Sequence, residues 1–246
     1  MEGVLLTTNL YEKSFRSFLT NLNNDFFLVD SKHIRKKIIS INNLNPESFG
    51  EFDNLKEGVK RKFPLVDFVF TSEYREKCSD LFKVRLSEDD ISYFYSIHNY
   101  TSLYLGIESG IDFVLTIGAD CKLSSLNIDS YIQKSIDEIK KDHFLLSTTL
   151  PWAEEFLETG NHEENLYPID HRSDFFYLSK VMSDQIFLCS SKKILSIVDF
   201  NINEIIHPYP GYGHGGFENR LCNFMIKKNY VRGIFKGQIY YKHQSY

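Results

Sequence analysis

Three stretches of the chain end an apolar run in side chains able to grip a ligand. Val4-Leu5-Leu6 leads into Thr7-Thr8-Asn9, Phe26-Phe27-Leu28-Val29 into Asp30-Ser31, and Phe113-Val114-Leu115-Thr116-Ile117 into Gly118-Ala119-Asp120. Short apolar runs bounded by polar residues read as buried strands. In open α/β sheets ligands sit outside the carboxyl ends of the strands. Hydroxyls, amides and carboxylates at such ends offer both donors and acceptors, and an aspartate there can hold a hard divalent cation through oxygen. A further candidate lies in Tyr212-Gly213-His214-Gly215-Gly216-Phe217-Glu218-Asn219-Arg220. Its glycines let backbone close on a ligand, and Glu218 can take a proton from a hydroxyl. An acid in this position also suits a helix N-terminus, so a purely structural role for Glu218 stays open.

The elements that must position these residues follow from periodicity. Strands are expected over 4–8, 26–29, 65–70, 113–117, 144–148, 175–178, 185–189 and 237–241. Helices are expected over 10–22 (Phe15, Phe18, Leu19 and Leu22 on one face), 91–110, 128–141 and 217–228. The polar stretch 42–57 reads as a loop, 71–90 as charged and partly helical, and 152–173 as loop-rich. Strands alternating with helices predict an α/β fold whose mixed, mainly parallel sheet is flanked by helices.

Composition narrows the function. At 246 residues, with no repeat or linker, the chain fits one domain. A net charge of −5 argues against nucleic acid, whose phosphates call for a basic face. No apolar run approaches the roughly 20 residues of a membrane span, and the opening MEGVLLTTNL lacks the basic leader of a signal peptide. Cys78, Cys121, Cys189 and Cys222 form no CxxC pair, which predicts reduced thiols rather than a zinc site or disulfides. Lys36-Lys37 and Lys60-Arg61-Lys62 read as solvated surface, or as contacts for anionic lipid headgroups.

The segment Glu108 to Leu123, a helix end, a buried strand and an acidic tip, resembles the A-x-G-D-Y-I-L-F-L-D-x-D pattern of GT-A glycosyltransferases. It departs from that pattern at Gly118, where the family has its first aspartate, and Ser102-Leu103-Tyr104-Leu105-Gly106 lacks the arginine and asparagine of the family's Ala-Arg-Asn-x-Gly helix. Other landmarks follow in order. Thr7-Thr8-Asn9 stands where these enzymes contact the nucleoside, Asp30-Ser31 resembles their V-D-D-x-S turn, and His243-Gln244-Ser245 their terminal H-x-S. Glu218 fits an acidic pair that opens an acceptor-side helix, with Asn219 where the second acid often stands, and Asp184 stands where related bacterial surface-polysaccharide enzymes often carry an aspartate.

The resemblance implies a single cytoplasmic catalytic domain over 1–246, with a nucleotide half at 1–123, an acceptor half at 124–246 and peripheral contact with the inner membrane. It implies transfer from a nucleotide sugar, UDP-sugar foremost, to a glycan or glycolipid of lipopolysaccharide or capsule. Thr7, Thr8, Asn9, Asp30, Ser31, Gly118, Ala119 and Asp120 would hold the donor, and Asp120 with His243 would hold Mn2+ or Mg2+. Glu218 would be the base of an inverting displacement, and Asp184 a sugar contact or alternative acid. Two alternatives stand beside this reading. A sugar nucleotidyltransferase would want a glycine-rich basic loop after the first strand, which Thr7 to Tyr11 lacks. A GT-A domain that binds sugar or a partner without turnover is favoured by Gly118.

Overall fold

The computed structural model describes residues 2–10, 25–42, 46–86, 91–119, 121, 127–148, 170–171, 176–179, 186–201 and 216–235. Their strands are β1 (Val4–Leu10), β2 (Ile34–Ile41), β3 (Val66–Phe70), β4 (Phe113–Ile117), β5 (Leu146–Thr148), β6 (Asp170–His171), β7 (Phe176–Ser179), β8 (Ile186–Ser190) and β9 (Arg232–Phe235). They form one mixed sheet in the order β3-β2-β1-β4-β8-β5-β9-β7-β6. Within it β7 and β8 run against the direction shared by the others, and β1 to β4 are mutually parallel.

Helices cover both faces: α1 (Asp25–Leu28), α2 (Phe49–Lys62), α3 (Arg75–Phe82), α4 (Ile91–Glu108), α5 (Ile128–Lys140), α6 (Ser191–Ile197) and α7 (Phe217–Lys228). Successive residues of a strand face opposite sides, so each strand feeds two cores. Leu6, Leu10, Ile39, Ile41, Leu115 and Ile117 pack with Phe52, Leu55 and Val59 of α2 and with Tyr131, Ile132 and Ile136 of α5. On the other face Leu5, Ile38, Val114 and Phe187 pack with Ile97, Tyr100 and Leu103 of α4, Phe82 of α3 and Phe217 of α7. Residues 96–103 of α4 are buried throughout because the helix lies between the sheet and a second helical layer.

Two expectations fail for physical reasons. Residues 26–29 are not a strand: Asp25–Leu28 is a helical turn, and Phe26, Phe27 and Val29 dock on the first core. Lys37, half-buried on β2, donates to the Phe26, Phe27 and Val29 carbonyls at 3.4, 3.0 and 2.6 Å. It supplies partners for carbonyls that a strand would have paired with a neighbour. The second strand is instead Ile34–Ile41, half of which is Arg35, Lys36, Lys37 and other surface-like residues. Likewise 42–57 is not a loop, since α2 begins at Phe49 and buries Phe52, Leu55 and Val59 at helical spacing. Leu10, expected to open a helix, instead ends β1; the rest of that helix, 11–22, and the strand expected over 237–241 lie outside the described residues, while α6 and β9 were not expected.

Candidate functional site

The carboxyl edge of β1 to β4 is the polar end of the sheet. β1 continues through Thr7, Thr8 and Asn9 to Leu10, all of them buried. Thr7 pairs in register with Thr116 of β4, and their hydroxyls meet at 3.0 Å on the face that α4 covers. The pairing of β1 with β4 runs to Thr7 and Thr116, so the residues that follow, Thr8 to Leu10 and Ile117 to Ala119, lie at the same edge of the sheet. The Asn9 Oδ1 and Thr8 Oγ1 atoms are buried with no hydrogen-bond partner among the described residues. An unmet buried acceptor costs about 1–3 kcal/mol. A protein tolerates that cost where a ligand can meet it.

The second strand tip is not where Asp30 and Ser31 lie. β2 starts at Ile34, opposite Val4 at the start of β1, so Asp30 and Ser31 precede the strand at the amino edge. There the Ser31 hydroxyl donates to Asp129 at the start of α5 and accepts from the His33 amide at 3.2 Å. The true tip of β2 is Ile41-Asn42, whose Asn42 amide donates to the Leu10 carbonyl at 2.9 Å. Thr71, just past β3, donates to the Ile41 carbonyl at 3.2 Å or to Asn42 Oδ1 at 3.1 Å. Asn42 and Thr71 therefore join Asn9 at this edge. The signal for Asn42 was present, as it follows Ile38-Ile39-Ser40-Ile41, but the basic start of β2 hid the strand.

Helices bring further groups to the same edge. A tight turn joins α4 to β4, so α4 runs antiparallel to the strand. Ser96 lies twelve residues before the end of α4 at Glu108, about 18 Å along the axis, which places it at the carboxyl edge. Its hydroxyl accepts from the Phe217 amide at 2.8 Å. Gly216, at the cap of α7, offers no side chain of its own, so α4 caps α7 across the structure. That contact sets Glu218, half-buried in the first turn of α7, at the edge as well. Nearby on α4, burial pushes the His98 imidazole down to about 4, leaving it neutral at pH 7.

The turn after β4 is closed by the Cys121 amide donating to the Gly118 carbonyl at 3.0 Å. Asp120, Asp184 and His243 lie outside the described residues. Among the described residues no group of three His, Cys, Asp or Glu side chains gathers in a way that could hold a metal. All four cysteines are free and buried, and burial pushes the Cys78 thiol up to about 12, which keeps it unreactive. Among the described residues no helix is long and apolar enough to cross a membrane.

This architecture defines a class: the α/β fold of GT-A glycosyltransferases, with a parallel half whose strand tips form the polar edge. No family model and no curated protein matches the chain. Among solved structures, GalNAc-T7 crystallised with UDP, GalNAc and Mn2+ superposes with a TM-score of 0.55 over 96% of this chain and 42% of its own, at 10% identity. The mannosyltransferase PcManGT from Pyrobaculum calidifontis, in complex with GDP-Man and Mn2+, gives 0.50 over 98% of this chain and 57% of its own, at 8% identity. The chain thus spans about half the length of these neighbours, and at such identity the likeness is one of fold alone.

Proposed function

We propose that the chain is a glycosyltransferase that takes its sugar from a nucleotide donor at the carboxyl edge of β1 to β4. The observation that carries this reading is Asn9, a buried amide whose oxygen lacks a described partner, at the polar edge of a GT-A fold. Asn9 and Thr7 hold the nucleoside, with Asn42 taking the place first given to Asp30 and Ser31. Thr8 lies on the other face and supports that strand tip. Gly118 and Ala119 carry backbone past the diphosphate, and Asp120 with His243 is the pair assigned to Mn2+ or Mg2+. A divalent cation there would offset the charge that grows on the departing diphosphate. The two neighbours carry different bases, UDP and GDP; UDP-sugar is the first donor to test.

Glu218 takes the proton of the acceptor hydroxyl as that oxygen attacks the anomeric carbon, which inverts the centre. Asp184 contacts the donor sugar or serves as the alternative acid. The acceptor is a glycan or glycolipid of bacterial surface polysaccharide, met at the cytoplasmic side of the inner membrane by one catalytic unit spanning 1–246.

Nucleotide-sugar hydrolysis and transfer, measured with UDP-, GDP- and CMP-sugars with and without Mn2+, test the reading. One donor should turn over. Asp120→Ala should abolish turnover with the thermal midpoint unchanged, and Glu218→Gln should lower transfer by about 10²-fold or more while donor binding persists. Binding of nucleotide without turnover would instead identify a non-catalytic sugar-binding domain, the reading that Gly118 favours.

A further inference from the structure

The last turn of α2 carries Lys60, Arg61 and Lys62, all exposed. A hydrogen-bonded turn follows, in which the Val66 amide donates to the Phe63 carbonyl at 3.1 Å with Pro64 and Leu65 between them. Proline in the second position of such a turn presets its backbone, and the turn is held from behind. Phe63 stacks on Phe27 with ring centroids 4.9 Å apart, and the Lys62 ammonium lies 5.5 Å above the Phe63 ring. At the tip, Leu65 is 86% exposed, against 49% and 37% for Phe49 and Tyr230, the other exposed large hydrophobics among the described residues.

A cation or two in a last turn complements the helix dipole. That account does not cover a leucine held rigidly in water beside three cations. Of the acids beside it in the chain, Asp67 is ion-paired to Lys36 at 2.9 Å and Glu57 stands one helical turn before Lys60 and Arg61, so the corner keeps a net positive formal charge.

We propose that this corner docks the protein on the surface of an anionic lipid bilayer. Lys60, Arg61 and Lys62 meet headgroup phosphates, and Leu65 sinks to the acyl boundary beneath them. The size of the feature selects a bilayer over a protein partner. A specific protein interface buries about 800 Å² per partner around an apolar centre, whereas interfacial binding sums a few cations and a shallow apolar contact. Charge selects the orientation. The chain as a whole carries −5, so an anionic surface repels it generally and attracts it at a cationic corner such as this one. α2 runs back along parallel strands, which puts the corner at the amino edge of the sheet. Docking there turns the carboxyl edge away from the bilayer, which suits an acceptor whose reactive end extends into water. The inference assigns residues to the membrane contact of the reading above, but it stands on the corner alone and is tested without any assay of transfer.

The test is co-sedimentation of the full chain with phosphatidylcholine vesicles, with and without phosphatidylglycerol. Binding should require phosphatidylglycerol and weaken as salt rises. K60E/R61E/K62E should lower it at least about tenfold, and Leu65→Ala by about fivefold. Leu65→Ala should leave retention on immobilised heparin unchanged, because a soluble polyanion meets only the charge. All four side chains are exposed, so unchanged thermal midpoints verify that the variants fold. Equal binding to phosphatidylcholine alone, or parental binding by the charge-reversed variant, overturns the proposal. An Leu65→Ala variant as tightly bound as the parent overturns it too, and leaves a site for soluble polyanions or an acidic protein.

Discussion

His98 shows how burial alone can give a side chain a pH-dependent role in stability. The imidazole is packed within α4, and desolvation lowers its folded pKa from 6.5 to about 4. Between those values the unfolded chain holds the proton and the folded chain does not. Stability is therefore full above the unfolded value and is lost as pH falls through the window, by at most roughly 1.4 kcal/mol per pH unit. Thermal midpoints should fall steadily from pH 6.5 towards 4, and His98→Gln should flatten that slope. An unaltered slope in the variant would place the titration elsewhere. What the sequence conveyed about single residues is their place: Thr7 and Asn9 near the end of a strand and Glu218 in the first turn of a helix. Asp30 and Ser31 were misplaced because an apolar quartet before them looked like a strand.

Gly106 illustrates constraint at the level of elements. Replacing a mid-helix glycine by alanine ordinarily stabilises a helix by up to about 1 kcal/mol. Here an added Cβ would lie 2.5 Å from Val114 Cγ2 and 3.0 Å from Ser191 Oγ. The valine belongs to β4 and its rotamer is stiff, so α4 would have to lift off the sheet. Gly106→Ala should cost about 1–3 kcal/mol and lower the thermal midpoint by several degrees; a raised midpoint would show that the contact relaxes freely. Elements with a clear period, β4, α4, α5 and α7, were legible because one face or the whole element is buried. β2 and α2 were not, since Arg35 to Lys37 mask a strand and Gly50 and Gly58 dilute a helix whose buried face is only three residues.

Across the whole molecule, β4 is the seam between the halves assigned to donor and acceptor. Phe113 to Ile117 pair antiparallel with Ser190 to Ile186 of β8, and Val114 and Phe187 share one core. A sheet continuous through this seam should unfold as a unit. Urea unfolding of the full chain, followed by far- and near-ultraviolet circular dichroism, should give one coincident transition. A chain ending at residue 123 would leave the β4 edge and its apolar faces uncovered, and should aggregate or lack near-ultraviolet signal. A folded, soluble fragment would instead make the halves separable domains.

The amino-acid sequence by itself determined the α/β class, the strand of β4 with its polar exit, the long buried helix before it and the helix that opens with Glu218. These follow from local apolar period, which needs no knowledge of neighbours. Only the tertiary structure decided which polar tips share an edge. Pairing register set the ends of β1, β2 and β4 at one edge, with Asn42 bonded to Leu10, and sent Asp30 and Ser31 to the opposite end, and the Ser96 hydroxyl joined α7 to α4 across 121 residues. Such juxtapositions arise from hydrogen bonds between segments distant in the chain, and no local pattern encodes them.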